Sequence, residues 1–128
     1  MSPKRKIKLL IVDDEKDVCI FEKSYLEKRG FTVVTALTGA SGVTLANKVR
    51  PDIAIIDIHM EKGIDGIEVL QRLLQAHPSC KCIMVTWDKQ KALEAKGLGA
   101  MDILIKPVEL KELEGAIHKA AKQGRRHG

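Results

Sequence analysis

The 128-residue sequence lacks any apolar stretch that approaches the roughly 20 residues needed to cross a bilayer. It also shows no signal-peptide pattern, because Asp13, Asp14 and Glu15 interrupt the region where an apolar segment would have to follow the basic N-terminus. We therefore expect a cytoplasmic protein that has no membrane partner.

Cysteine is scarce, with only Cys19, Cys80 and Cys82 present. An odd number of cysteines cannot pair completely, and one residue between Cys80 and Cys82 is too short a spacing for the usual zinc knuckle. Both observations argue against a disulfide framework and against a structural zinc site. We expect free thiols in a reducing compartment.

A basic surface that runs through the whole fold is also missing, although the net charge is +5. Of the 22 basic residues, seven lie near the two ends of the chain, at positions 4, 5, 6, 8, 122, 125 and 126. The other 15 are outnumbered by 17 acidic residues, so a nucleic-acid groove is not expected. The length fits one domain spanning 1–128, in which we expect 1–6 and 124–128 to be flexible tails.

Short apolar runs indicate where the strands lie. The run Ile53–Ile56 does not alternate with polar residues, which is typical of a strand covered on both faces. Five strands are predicted, at 7–12, 31–36, 53–56, 81–86 and 103–105. Helical spacing and capping residues predict helices at 16–29, from an N-cap at Thr38 to 49, from about 67 to before Pro78, at 88–96 and from about 110 onwards.

This alternation of strands and helices predicts an α/β fold with a doubly wound parallel sheet, right-handed crossovers and helices on both faces. Within it, the first helix is expected to bury the apolar residues Val18, Phe21, Tyr25 and Leu26. Gly30 is expected to end that helix in a left-handed conformation.

Polar residues end four of the strands: Asp13 and Asp14 after the first, Asp57 at the third, Thr86 at the fourth and Lys106 at the fifth. In a doubly wound sheet these ends share one edge, where ligands bind at the topological switch point. Three carboxylates there would need a cation, and oxygen ligands favour Mg²⁺. A lysine and a hydroxyl beside them suit a transferring phosphoryl group, with an aspartate as nucleophile.

Each of these features has a simpler explanation when it is taken alone. Asp57 could merely mark the end of a strand, the Asp13–Asp14 pair could cap a helix, and Lys106 could be a solvated lysine. Only their combination favours a functional site.

At these residues the sequence resembles the receiver domain of two-component response regulators. The similarity covers nearly the whole chain and rests on five motifs in order: V-D-D at 12–14, D-I-H-M at 57–60, D-G at 65–66, V-T at 85–86 and K-P at 106–107. The resemblance implies a flavodoxin-like sheet of five strands in the order 2-1-3-4-5 with five helices.

The resemblance also implies a metal site and a phosphoacceptor. Asp57 corresponds to the phosphoacceptor, and Asp14 and Asp57 correspond to direct Mg²⁺ ligands. Asp13 would act through a water molecule, and the backbone carbonyl of His59 would complete the protein's share of the ligands.

Two further residues correspond to the part of the site that contacts the phosphoryl group. Lys106 matches the family's cation, and Thr86 matches the hydroxyl that moves to bond the phosphoryl group. The bond between Lys106 and Pro107 matches one that the family holds cis.

The expected function is therefore that of a signalling switch. A histidine kinase or histidine phosphotransfer protein would supply the phosphoryl group to Asp57. The surface formed by the fourth helix, fifth strand and fifth helix would then change for an output domain, an effector protein or a second copy of the chain. Such a domain transfers and later hydrolyses its phosphoryl group, so it is not a turnover enzyme.

Two alternatives remain open on the sequence. A pseudo-receiver would bind partners without phosphorylation. A haloacid-dehalogenase-type phosphatase shares aspartyl phosphate chemistry, but its D-x-D motif is absent because His59 stands two residues after Asp57.

The chain departs from the family pattern mainly around its switch residues. Trp87 follows the hydroxyl residue where the family usually has a small residue, and Ile103 replaces the usual aromatic on the fifth strand. Glu61 follows Met60 at a position where the family usually has a proline. We hypothesise that Trp87 covers the phosphorylation site; alternatively it fills space vacated by the aromatic at 103. His59 lies two residues after Asp57, where the family tunes hydrolysis, but a lone histidine is more often merely exposed, so we expect an exposed side chain.

Overall fold

The computed structural model describes residues 5–124. Within this range strands and helices alternate as predicted, in the order β1 (Lys8–Val12), α1 (Lys16–Glu27), β2 (Thr32–Ala36), α2 (Gly39–Val49), β3 (Ile53–Asp57), α3 (Gly66–Ala76), β4 (Lys81–Thr86), α4 (Lys89–Gly97), β5 (Asp102–Ile105) and α5 (Leu110–Gly124). All predicted elements are present, and their ends differ from the prediction by one to a few residues.

The five strands form one parallel sheet in the order β2-β1-β3-β4-β5, which confirms the predicted topology. β3 lies at the centre and every one of its residues is buried. Because β1 and β3 are neighbours but not consecutive in the chain, the connections diverge between them, and this is the topological switch point of the sheet.

Two apolar cores hold the helices against the two faces of the sheet. Alternate residues of β1 point to opposite faces: Leu10 contributes to a core with α2, α3 and α4, whereas Leu9 and Ile11 contribute to a core with α1 and α5. The sheet is therefore covered on both sides, as the non-alternating apolar run in β3 predicts.

The prediction for α1 is wrong at Phe21, whereas Leu26 is buried as predicted and Val18 and Tyr25 are half-buried. Phe21 is 71% exposed, whereas Cys19 and Leu26 are buried. The apolar spacing fits two adjacent rows of the helix, and packing against the sheet selects the row that contains Cys19, Glu22 and Leu26 at i, i+3 and i+7.

Side chains cap the N-termini of three helices that begin at the carboxyl edge of the sheet. Thr38 caps α2 as predicted, and the side chains of Asp65 and Asp88 accept backbone N–H bonds at the first turns of α3 and α4. Gly30 follows α1 with a φ of 96°, as predicted for a left-handed cap.

Two further predictions concern the thiols and the tails. All three cysteines are free and buried. No helix among residues 5–124 is long and apolar enough to span a membrane. Of the predicted tails, residues 1–4 and 125–128 lie outside the described part of the chain, while Arg5 forms a two-pronged ion pair with Asp52, at 3.1 and 2.9 Å.

Candidate functional site

The carboxyl ends of β1 and β3 bring three acidic residues together. β1 and β3 pair in parallel with Val12 beside Ile56, so the residues that follow them meet at one edge of the sheet. Each of Asp13, Asp14 and Asp57 offers a carboxylate oxygen that lies within 4.8 Å of the other two. Three carboxylate oxygens at this spacing suit a hard divalent cation such as Mg²⁺ rather than zinc.

Asp57 is 3% exposed and both of its carboxylate oxygens have partners. The Lys106 ammonium donates to Oδ2 at 2.9 Å, and the backbone N–H of His59 donates to Oδ1 at 3.0 Å. β5 brings Lys106 to this edge because Ile105, the residue before it, pairs with Thr86. Burial lowers the pKa of Lys106, but the hydrogen bond and charge of Asp57 outweigh that effect, so its pKa is raised overall.

The other two acids are held by backbone donors. Oδ1 of Asp13 accepts from the N–H of Glu15 at 2.9 Å, and Oδ2 of Asp14 accepts from the N–H of Glu61 at 3.1 Å. A proline in place of Glu61 would have no N–H to donate. Burial, with a contribution from the Asp57 charge, raises the pKa of Asp13 to about 6. The repulsion within this cluster is therefore only partly relieved by Lys106.

Thr86 ends β4 beside the acidic cluster and is completely buried. Its hydroxyl accepts from the backbone N–H of Asp88 at 2.9 Å and lies 2.7 Å from Nε2 of His59. The imidazole of His59 in turn stacks on the indole of Trp87, with ring centroids 4.8 Å apart and planes 14° apart. The His59 side chain is thus half-buried rather than exposed, contrary to the expectation from sequence.

Trp87 is 64% exposed. This exposure does not fit a ring that fills an internal space left by the missing aromatic at 103, so that alternative is wrong. Trp87 instead lines a cavity of about 420 Å³ beside the site, together with Asp57 and Lys106. A ring at the wall of this cavity is consistent with a partial cover over Asp57.

The same cavity contains an acidic residue that the sequence reasoning missed. Glu22 of α1 lies on its wall, and burial raises the pKa of Glu22 to about 7, with smaller contributions from Asp13 and Asp57. A signal was present in the sequence, because Glu22 is four residues after Val18 and shares its face of the helix.

A larger cavity, of about 650 Å³, lies at the opposite edge of the sheet and includes Pro51, His77, Cys80 and Lys81. None of the predicted site residues lines it. Cavity size alone would favour this location, but the converging carboxylates and the ion pair between half-buried Lys106 and buried Asp57 favour the carboxyl edge as the functional site. The Lys106–Pro107 bond is cis, as the resemblance implied.

Comparison with known proteins agrees with this geometry. The sequence model of the family "Response regulator receiver domain" matches residues 9–118. Sporulation initiation phosphotransferase F of Bacillus subtilis is 31% identical over 114 residues, which cover 88% of this chain and 91% of that protein. Chemotaxis protein CheY of Listeria monocytogenes is 34% identical over 119 residues, covering 91% of this chain and 99% of that protein.

A solved structure supports the same assignment. The CheY-like response regulator receiver domain protein from Methanospirillum hungatei superposes with a TM-score of 0.91 at 26% identity, covering 97% of this chain and all of that one. The flavodoxin-like fold, the five motifs and the acidic cluster thus agree with a single assignment: the chain belongs to the family of response regulator receiver domains of two-component signalling systems.

Proposed function

We propose that this domain accepts a phosphoryl group on Asp57 from a phosphohistidine of a histidine kinase or histidine phosphotransfer protein, with Mg²⁺ as cofactor. The observation that supports this most directly is the environment of Asp57. A buried carboxylate touches an ammonium group at 2.9 Å and shares an edge with two more carboxylates. Such a set of charges is costly unless a cation and an anionic group complete it.

The proposed chemistry is an in-line displacement at phosphorus. One carboxylate oxygen of Asp57 forms the new P–O bond, while the P–N bond to the donor imidazole breaks and that nitrogen keeps the electron pair. The Lys106 ammonium would donate to a phosphoryl oxygen, and the Thr86 hydroxyl would donate to another. Both groups lie at the edge of the sheet where the negative charge develops.

The metal would be held by the carboxylates of Asp14 and Asp57, by Asp13 through a water molecule, and by the backbone carbonyl of His59. Its positive charge would neutralise the phosphoryl oxygens and lower the repulsion between nucleophile and donor. The oxygen-only donor set and the raised pKa of Asp13 both fit a site that is completed by a cation.

The product of the transfer would be a change of surface rather than a released molecule. Water would later hydrolyse the acyl phosphate, so the domain would reset itself without acting as a turnover enzyme. Exposed apolar side chains on or next to α4 and β5, at Trp87, Leu93 and Ile105, suit a surface that an output domain, an effector or a second copy of the chain covers.

A second candidate function is a pseudo-receiver that binds partners without phosphorylation. The isoleucine at 103 favours it, because a side chain without a ring or hydroxyl cannot report through the family's aromatic relay. The complete set of acids and the Lys106–Asp57 ion pair favour the phosphoacceptor.

The deciding experiment is intact-mass measurement after incubation with Mg²⁺ and a small phosphodonor such as acetyl phosphate. The parent should gain one phosphoryl group and Asp57→Asn should not. Asp17→Asn, an exposed aspartate of α1, is the matched control and should label like the parent. Equal labelling of Asp57→Asn would contradict the proposed acceptor, and an unlabelled parent would favour the pseudo-receiver.

A further inference from the structure

The side chains of His59 and Trp87 have no part in the proposed transfer itself, but they contact Thr86, which does. The imidazole of His59 lies between the Thr86 hydroxyl, 2.7 Å from its Nε2, and the indole of Trp87, stacked at 4.8 Å. A buried hydroxyl, a half-buried imidazole and an exposed indole thus form a continuous row from the interior to the surface.

We propose that His59 is a positioning residue for Thr86, and that phosphorylation exchanges the Thr86–His59 hydrogen bond for one between Thr86 and a phosphoryl oxygen. This inference rests on the proposed function. Its consequence is that the His59–Trp87 stack, rather than a ring on β5, reports the state of Asp57 to the surface next to α4.

The Thr86 hydroxyl can donate only one hydrogen bond at a time. Thr86 has one O–H to donate, and its oxygen already accepts from the N–H of Asp88 at 2.9 Å. Phosphoryl oxygens only accept, so a bond from Thr86 to the phosphoryl group needs that one proton. We assign the tautomer in which Nε2 of His59 accepts from the Thr86 hydroxyl in the resting state, and with that assignment the two hydrogen bonds exclude each other.

The backbone of His59 is hydrogen-bonded to the proposed phosphoacceptor, Asp57. Its N–H donates to Oδ1 of Asp57 at 3.0 Å, so conversion of that carboxylate to an acyl phosphate changes a partner of His59 directly. Loss of the negative charge weakens this bond at the same time as the phosphoryl group attracts the Thr86 hydroxyl. Both contacts of His59 with the site therefore change together.

The stack of His59 on Trp87 connects the buried Thr86 hydroxyl with the surface next to α4. Trp87 immediately precedes Asp88, the N-cap of α4, and the residue is 64% exposed. An imidazole that loses its Thr86 bond keeps only the stack, so the indole next to the start of α4 loses its side-chain link to the buried hydroxyl. Ile103 is partly buried against the core that includes α2, α3 and α4, and it offers no comparable polar link.

The test compares phosphorylation and dephosphorylation rate constants of Asp57, measured by intact mass with a small phosphodonor. His59→Ala should be phosphorylated about fivefold faster than the parent, because one net hydrogen bond that opposes the active position is removed. His59→Phe keeps a stacking ring without the acceptor nitrogen, so it should match His59→Ala and it replaces that variant if His59→Ala does not fold.

Two controls separate this role from a merely structural one. His77→Ala removes a histidine whose ring lies 2.9 Å from Asn47 near the opposite edge, and it should retain the parent rates. In a Thr86→Ala background, adding His59→Ala should change neither rate constant, because the proposed effect acts through the hydroxyl. An undiminished effect in that background would overturn the inference.

The fluorescence of Trp87, the single tryptophan, supplies a second readout. Phosphorylation should change its emission in the parent, and the change should be largely lost in His59→Phe, where the ring has no polar link to break. A labelled parent with rates equal to those of both His59 variants would overturn this inference alone. A parent that takes no phosphoryl group would overturn the proposed function and this inference with it.

Discussion

The two edges of the sheet shift the pKa of an aspartate in opposite directions. At the amino edge, burial works against ionisation of Asp52, but the two-pronged bond from Arg5 and the N–H of Lys8 outweigh it and lower its pKa. At the carboxyl edge, burial and neighbouring charge raise the pKa of Asp13 to about 6. One aspartate has its charge matched by partners, and the other lies in an excess of negative charge.

The difference shows where this molecule keeps unbalanced charge. At the amino edge, side-chain cations satisfy the ends of helices, as where the Lys8 ammonium donates to the carbonyl of Val49 at 2.8 Å. At the carboxyl edge, Lys106 is the one cation among residues 5–124 that is paired with the group formed by Asp13, Asp14, Asp57 and Glu22. We interpret the first edge as structural and the second as an incomplete site that ligands complete. The predictions below test this contrast, in order of decreasing effect.

The largest effect is expected from removing the cation at the carboxyl edge. Lys106→Ala should slow phosphorylation of Asp57 by about 100-fold or more, because a positioned donor to the developing charge is lost. The measurement is the rate of mass gain with a small phosphodonor. Lys81→Ala, at the amino edge, removes an ammonium that donates to the carbonyl of Ser79 and should leave the rate unchanged.

A bound divalent cation should stabilise the protein through the carboxyl edge alone. Mg²⁺ at about 100 times its dissociation constant should raise the free energy of unfolding by about 2.7 kcal/mol. Asp14→Asn should abolish most of this gain, while Asp52→Asn should keep it. Chemical unfolding with and without Mg²⁺ measures both; a full gain in Asp14→Asn would contradict the metal site.

The third prediction concerns pH and Glu22. Its pKa is raised in the folded state to about 7, so the folded protein holds a proton that the unfolded chain releases above its ordinary value of 4.5. The contribution of protonated Glu22 to the free energy of unfolding is fully present below pH 4.5 and is lost as the pH rises through about 7.

Glu22→Gln should therefore be more stable than the parent at pH 8 by about 1–3 kcal/mol in the absence of Mg²⁺, with the difference shrinking towards pH 5. Denaturant unfolding at a series of pH values measures it. Glu27→Gln, an exposed acid of the same helix, is the control and should show no such slope. A difference that is constant with pH would contradict the raised pKa.

The smallest effect is expected at the amino edge, with the opposite sign. The pKa of Asp52 is lowered in the folded state, so its contribution is present above its ordinary value of 3.8 and is lost as the pH falls through the folded value. Because the pair with Arg5 is largely exposed, Asp52→Asn should cost no more than about 1 kcal/mol at pH 7. The cost should disappear in acid; a larger cost at low pH would contradict the ion-pair interpretation.

Much of this contrast could be predicted from sequence, since the residues that end parallel strands must share an edge. Asp13, Asp14, Asp57, Thr86 and Lys106 all follow apolar runs, and the structure brings them together. Glu22 was missed because a single acid on an amphipathic helix is usually solvated. The exposure of Phe21 was missed for a related reason, as the spacing alone does not show which helix row faces the sheet.

The region around α4 shows most clearly what sequence patterns could not predict. Its sequence has only three apolar residues, of which Ala92 and Ala95 are buried while Leu93 is 74% exposed. The Asp88 cap and the burial of the two alanines define this helix, not a strong apolar pattern. Whether the ring of His59 would be solvated or would contact Thr86 depended on the position of β4 beside β3, which no local spacing shows.

By itself the sequence determined the order of strands and helices, the two-sided burial of the sheet and the residues at its carboxyl edge, because these depend on local periodicity and on the chain order of short apolar runs. Only the tertiary structure decided the row of Thr86, His59 and Trp87 and the burial of Glu22. These contacts join residues distant in the chain, and their geometry is set by strand register and helix packing rather than by any neighbouring residue.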